Sequence, residues 1–303
     1  MKRPSAPDLP GTCVRYNAPL SAYTTWGVGG IAETLFTPRC ETDLAAALRW
    51  IHGSGGVFYV LGGGSNVLIS DDALGTPVVL MTGISGASAE ERGDCVMLEC
   101  MAGTPLREAL SLSVKNGWSG LEMAAGIPGT VGGAVAGNAG GACGAVGQSV
   151  YRVNVLEPDG SKTEVSGEDM DWGYRKCGFL LGGRRVVLSA VFRLKRSTAE
   201  EVSEAVRKVM EGRRSQPVSS RTAGCVFKNP SGGSAGRMLE ASGCKGMSVG
   251  GARVSELHAN FIENAGGCSA VDILSLALSC RKKVEDMFGA RLAFEVKIFG
   301  LPC

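Results

Sequence analysis

Apolar positions at Leu44, Leu48 and Ile51 share one face of a helix, with Thr42 placed to cap it and Gly53 to end it. The continuous apolar run Val57 to Leu61 predicts a strand, and Val67-Leu68-Ile69 resumes an extended pattern after the break Gly62-Gly63-Gly64-Ser65-Asn66. Cys95 to Met101 predicts another strand, followed by Thr104 as N-cap, Pro105 at the first helical position and a helix ending near Gly117. Val153 to Leu156 and Val186 to Leu194 predict further strands, with a turn at Glu157-Pro158-Asp159-Gly160.

Beyond residue 198 the pattern changes. Ala199 to Arg214 is charged, with Val202, Val206 and Val209 on one helical face. A short helix is predicted around Arg237 to Ala241, then a mixed segment Val249 to Glu263. A helix follows that opens on the capping pair Ser269 and Asp272 and stops at Gly289. Phe294 to Phe299 predicts a closing strand. No solenoid repeat is visible.

Composition adds constraints. The 303 residues are enough for two ordinary domains. A net charge of +2 gives no general electrostatic reason to bind nucleic acid or an acidic membrane. Eleven cysteines occur without a CxxC pair and with only His52 and His258 to assist, which argues against a zinc site. Met1-Lys2-Arg3-Pro4-Ser5 leads into no apolar signal region, so a cytoplasmic location with reduced thiols is expected. The uncharged stretch Met123 to Tyr151 contains nine glycines and Pro128, and reads as a loop-rich segment with no membrane insertion.

Glycine, at 45 residues, is about twice its usual share of roughly 7%. Gly27-Val28-Gly29-Gly30-Ile31-Ala32 matches the GxGxxA dinucleotide fingerprint, but β-like sequence follows it instead of a helix, so a Rossmann site is rejected. Gly62 to Asn66 and Gly126-Ile127-Pro128-Gly129-Thr130-Val131-Gly132-Gly133 leave two readings open. They can be nests of backbone amides for phosphate oxygens or tight turns beneath packed strands, and spacing alone favours the turns.

Several segments form a set when taken in order: Thr24-Thr25-Trp26-Gly27-Val28-Gly29-Gly30, Leu61 to Asn66, Ala125 to Gly133, Asn138-Ala139-Gly140, Tyr174-Arg175, Gly224 to Pro230, Gly250 to Ile262 and Glu295-Val296-Lys297-Ile298. This set resembles the UDP-N-acetylenolpyruvoylglucosamine reductase family in its shorter subtype. The resemblance implies an α+β fold. An FAD-binding region of two α/β subdomains, of the vanillyl-alcohol-oxidase or PCMH type, would occupy 20–196, divided at about 85. A C-terminal α+β substrate domain would occupy 197–303. FAD is implied as cofactor, NADPH as co-substrate, and small molecules as partners. The implied cofactor-binding residues are Gly62, Gly63, Gly64, Ser65, Asn66, Gly126, Ile127, Pro128, Gly129, Thr130, Gly132, Gly133 and Asn138.

The reaction implied by the resemblance adds hydride to the β carbon of an enolpyruvyl ether, leaving an enolate that needs a cation or donor beside it and an acid to protonate the α carbon. By resemblance, Arg175 and Glu295 surround the developing charge, and Cys225 stands where the family usually has the proton-donating Ser. A thiol, with an ordinary pKa of ~8.5, is mostly protonated at neutral pH and is a stronger acid than a serine hydroxyl. Tyr174, Lys228 and Asn229 are the implied substrate contacts, a cation suiting the diphosphate of UDP. From the residues alone the plainer readings are a surface ion pair for Arg175, an exposed strand position for Glu295, a small buried thiol for Cys225 and a solvated turn before Pro230. A thiol protease using Cys225 with His258 ranks far below, because no pattern places a third group.

Other departures from the family touch flavin packing. Gly27 replaces a frequent basic residue, Cys143 an aromatic, Cys177 a Ser and Phe294 a Pro. The resulting expectation is a cytoplasmic reductase of peptidoglycan precursor synthesis. The alternatives are another flavin oxidoreductase on the same scaffold and a non-catalytic flavin- or nucleotide-binding relative.

Overall fold

The computed structural model describes residues 13–182, 184–217 and 220–302. The chain forms two compact units, each discontinuous in sequence. One holds the described residues through Tyr16, Thr34–Gly63 and Thr76–Gly212; the other holds Asn17–Glu33, Gly64–Gly75 and the chain from Arg213.

The two larger sheets of the described residues build the first unit. In one, Val78–Leu80 lies between Ile31–Thr37 and Tyr59–Leu61, parallel to both, with Leu35 opposite Val78 and Leu61 opposite Leu80. The helix Glu41–Gly53 buries Leu44, Ala47, Leu48 and Ile51. Its N-cap is Cys40, not Thr42, which lies in the first turn. Asp43 reaches back to accept from the Arg39 N–H at 3.0 Å, and acids in a first turn suit the helix dipole, so the hydroxyl is not needed there.

The second sheet of this unit is antiparallel. Lys162–Ser166, Val150–Leu156, Val186–Arg196, Cys95–Met101 and Ala87–Arg92 lie in that spatial order, and Trp118–Ser119 pairs with the end of Val186–Arg196. Period-two alternation buries Val96, Leu98 and Cys100. The helix Leu106–Lys115 starts one residue later than its sequence predicts, with Pro105 as N-cap. Thr104 is spent elsewhere: its buried hydroxyl donates to the Gly86 carbonyl at 2.8 Å and accepts from the Gly86 N–H at 3.0 Å. A six-residue helix, Val131–Ala136, follows the second glycine run.

In the second unit the helix Ala270–Phe288 carries the predicted Ser269–Asp272 capping box and the left-handed stop at Gly289. It packs with the short helix Ala235–Ala241 and an antiparallel sheet of Ser248–Val249, Ala252–Val254 and Ile262–Asn264. Lys297–Phe299 pairs parallel to Val67–Ile69, a shorter closing strand than Phe294 to Phe299. Two early segments belong to this core. Fully buried Trp26 donates from Nε1 to the Ile262 carbonyl at 2.8 Å, and Asp71 accepts from the Ala270 N–H at 2.7 Å. Among the described residues no helix is long and apolar enough to cross a membrane.

Candidate active site

The two glycine runs meet within the first unit. A side chain on Gly62 would collide with the Thr130 hydroxyl, and a Cβ on Gly63 would stand 2.8 Å from the Gly129 Cα. Bare backbone is therefore required on both sides of the contact. Gly126 at φ +73° and Gly129 at φ +107° turn the second run through conformations that L side chains rarely adopt. Part of that run is committed to the fold. The amides of Ile127, Val131 and Gly132 donate to Ala124, Thr104 and Ala102 at 3.0, 2.9 and 2.8 Å, while Pro128 has no N–H. Any grip on a phosphate by amides of this run would fall to its other positions.

The first run continues into the second unit. Gly64, at φ +63°, accepts from the Thr25 N–H at 3.1 Å, and a Cβ there would meet the Tyr23 carbonyl. The side-chain amide of Asn66 donates to the Glu295 carbonyl at 3.3 Å, and the Asn66 carbonyl accepts from the Lys297 N–H at 2.9 Å. The Cβ positions of Gly62, Gly63 and Gly64 are taken by Thr130, Gly129 and Tyr23 of the protein itself, so these glycines serve the close packing of the turns.

Asn138 has a structural task. It is buried at φ +40°, its Nδ2 donates to the Gly173 carbonyl at 3.0 Å and its Oδ1 accepts from the Gly147 N–H at 3.1 Å. That bond ties down a hairpin in which Gly173 pairs with Lys176, leaving Tyr174 and Arg175 as its tip. Arg175 is left-handed at φ +54°, a conformation that costs a non-glycine residue about 1 kcal/mol or more. Its guanidinium donates to the Gly140 carbonyl at 2.9 Å and lies 5.3 Å from the centre of the Tyr174 ring. The Tyr174 ring itself is exposed. Next on the hairpin, Cys177 is buried with its thiol donating to the Met170 carbonyl, and burial pushes that thiol's pKa up.

Cys225 and Glu295 lie in the second unit on neighbouring segments joined by isolated bridges. Cys225 bridges antiparallel to Phe261, and Phe227 to Phe294. The Glu295 N–H donates to the Val226 carbonyl at 2.8 Å, so the carboxylate-bearing residue is hydrogen-bonded to the peptide beside the thiol-bearing one. Both are half-buried. Lys228 donates its N–H to the Ala293 carbonyl at 2.8 Å, and Asn229 Oδ1 accepts from the Ala235 N–H at 2.9 Å, at the start of the short helix. Phe294 is explained by its stacking on Phe227, ring centres 5.1 Å apart. A Cβ on Gly27 would lie 3.7 Å from the Arg221 guanidinium, so a basic group approaches the place where the family often carries one.

Sequence reasoning missed Asn260. It is 3% exposed and binds both peptide groups of Phe227, its Oδ1 accepting from the N–H at 2.9 Å and its Nδ2 donating to the carbonyl at 2.8 Å. An amide-bearing residue inside an otherwise apolar Ala259-Asn260-Phe261-Ile262 run was the available signal, since a buried amide needs partners. Asn260 also donates its own N–H to His258 Nδ1 at 3.2 Å. Burial lowers the His258 pKa, consistent with a ring nitrogen that accepts.

An FAD binding domain profile matches residues 32–166. This defines an FAD-binding protein of the α+β class. The profile of the UDP-N-acetylenolpyruvoylglucosamine reductase C-terminal domain matches residues 216–299. The chain is 38% identical over 295 residues to the UDP-N-acetylenolpyruvoylglucosamine reductase of Synechocystis sp., covering 96% of this chain and 92% of that one. It is 37% identical to the enzyme of that name from Syntrophobacter fumaroxidans, covering 94% and 84%. The crystal structure of UDP-N-acetylenolpyruvylglucosamine reductase from Thermus caldophilus superposes with a TM-score of 0.81 at 33% identity, covering 95% of this chain and 98% of that one. The chain belongs to the UDP-N-acetylenolpyruvoylglucosamine reductase family.

Proposed function

We propose that the chain is an FAD-dependent reductase that uses NADPH to convert UDP-N-acetylglucosamine enolpyruvate to UDP-N-acetylmuramate in peptidoglycan precursor synthesis, acting in the cytoplasm. Family membership supports the reaction, and the hydrogen bond from Glu295 to Val226, beside Cys225, is the observation that carries the assignment of chemistry. The FAD-binding region would comprise 20–196 and the substrate-binding domain 197–303. Backbone groups of Gly62 to Asn66 and of Gly126 to Gly133 would hold the FAD diphosphate, with Asn138 supporting the neighbouring hairpin.

Bound FAD, once reduced by NADPH, supplies hydride to the enolpyruvyl β carbon. Arg175 stabilises the negative charge that accumulates on the substrate carboxylate, a task suited to a guanidinium that stays charged and can bind two oxygens. Cys225 delivers the thiol proton to the α carbon. Glu295 supports the enolate by donating a hydrogen bond, for which its carboxyl must be protonated. Tyr174, Lys228 and Asn229 contact the substrate, the ammonium answering the UDP diphosphate.

Anaerobic titration of the purified, flavin-loaded protein tests this reading. NADPH should bleach the flavin absorbance, and the enolpyruvyl sugar nucleotide should restore it with one equivalent of UDP-N-acetylmuramate formed. A flavin that NADPH reduces but the sugar nucleotide does not reoxidise would point to another oxidoreductase. Failure to be reduced would point to a binding protein.

A further inference from the structure

The segment 225–228 carries the thiol and the ammonium of the proposed site, yet it is held by isolated bridges, Cys225 to Phe261 and Phe227 to Phe294, outside the named strands. Asn260 supplies what a continuous ladder would. Its carbonyl accepts from the Val226 N–H at 2.8 Å, and its side-chain amide closes on Phe227 from both polar groups, at 2.9 Å to the N–H and 2.8 Å to the carbonyl. The opposite edge of the same segment accepts from the Glu295 N–H and donates to the Ala293 carbonyl, each at 2.8 Å. The clasp therefore sits across the segment from Glu295. The chain bends at Val226, between Cys225 and Phe227, so the bonds of Asn260 to the Val226 N–H and to both peptide groups of Phe227 fix the bend that follows Cys225 and with it the place of the thiol-bearing residue.

We propose that Asn260 is a positioning residue for proton delivery, setting Cys225 against Glu295 by clasping Phe227. This rests on the reading of Cys225 as the proton donor. An amide is the side chain that suits the task, because it offers one donor and one acceptor to a single residue's two peptide groups. Alanine offers neither and leaves two buried backbone groups without these partners. Serine reaches only one of them.

The test compares Asn260→Ala, Asn260→Ser and Cys225→Ala as flavin-loaded enzymes in anaerobic stopped flow, following reduction by NADPH and reoxidation by the enolpyruvyl sugar nucleotide separately. The Asn260 variants should be reduced at rates within about threefold of the parent but reoxidised about 10²-fold more slowly, the scale of a ~1 Å misplacement. Amide hydrogen exchange at Phe227, a readout independent of turnover, should accelerate in both. Parental reoxidation in the Asn260 variants while Cys225→Ala is inert would overturn the positioning role alone. Equal loss of both half-reactions, loss of flavin from both Asn260 variants, or unchanged exchange at Phe227 would also overturn it, the first two by making Asn260 a folding residue. Parental reoxidation in Cys225→Ala would remove the donor reading and this proposal with it.

Discussion

Asn138 donates to the carbonyl of Gly173 at 3.0 Å, two residues ahead of Arg175. The guanidinium is thereby held from two directions, by this pinned hairpin and by its own bond to the Gly140 carbonyl. Asn138→Ala removes the acceptor for the buried Gly147 N–H as well as the donor to Gly173, which should cost about 1–3 kcal/mol in chemical denaturation. The same variant should slow flavin reoxidation more than flavin reduction. Equal effects on both steps would show that the hairpin does not serve Arg175.

Arg175 offers a separate test, since its backbone at φ +54° favours glycine. Arg175→Gly gives up the guanidinium bond to Gly140 and the contact with the Tyr174 ring but relieves left-handed strain, changes of opposite sign, so the net change in stability should stay within about 1–2 kcal/mol. Reoxidation by the enolpyruvyl sugar nucleotide should collapse. A large loss of stability with reoxidation retained would make the arginine a structural residue.

The glycine contact predicts a contrast. Gly63→Ala places a Cβ 2.8 Å from the Gly129 Cα, where backbone would have to shift, and should destabilise by about 1–3 kcal/mol with reduced flavin content after gel filtration. Gly133→Ala lies in an exposed helical position whose nearest neighbour, the Thr130 hydroxyl, is at 3.6 Å, and should raise stability by about 0.4–1 kcal/mol. If the two substitutions behave alike, the close approach of the runs is not what glycine serves.

His258 gives a pH dependence with a definite sign. Burial holds its pKa below the ordinary value, with Lys245 adding to that effect and Glu240 opposing it. As pH falls through about 6.5 the unfolded chain binds a proton that the folded one refuses, so stability is lost from there down to the depressed folded value. His258→Asn keeps an acceptor oxygen for the Asn260 N–H in the manner of an Asx turn, and should show a shallower fall in melting temperature between pH 7.5 and 5.5. Identical falls in parent and variant would assign the dependence to other groups.

The hydrophobic pattern was a good guide where burial is one-sided. Helix Glu41–Gly53, strand Cys95–Met101 and the capped helix Ala270–Phe288 follow directly from it, because each presents one apolar face to its own core. Caps were less legible, since Thr104 could serve either the helix start or the Gly86 turn and only tertiary structure decides. The pairing of Gly62 and Gly63 with Thr130 and Gly129 joins residues over 60 positions apart, which no local spacing encodes. The placement of Trp26 and Asp71 in the core of the C-terminal segments is non-local in the same sense. Cys225 and Glu295 were found through the family resemblance, whereas the clasp of Asn260 between them and His258 required the backbone geometry.

The central claim is that the Cys225 thiol supplies the proton to the substrate α carbon, and single-turnover reoxidation of the reduced flavin tests it most directly. Cys225→Ala should still be reduced by NADPH at close to the parental rate but should form product about 10²–10⁴-fold more slowly, with Cys225→Ser restoring much of the rate. Product formed by Cys225→Ala at the parental rate would contradict the claim.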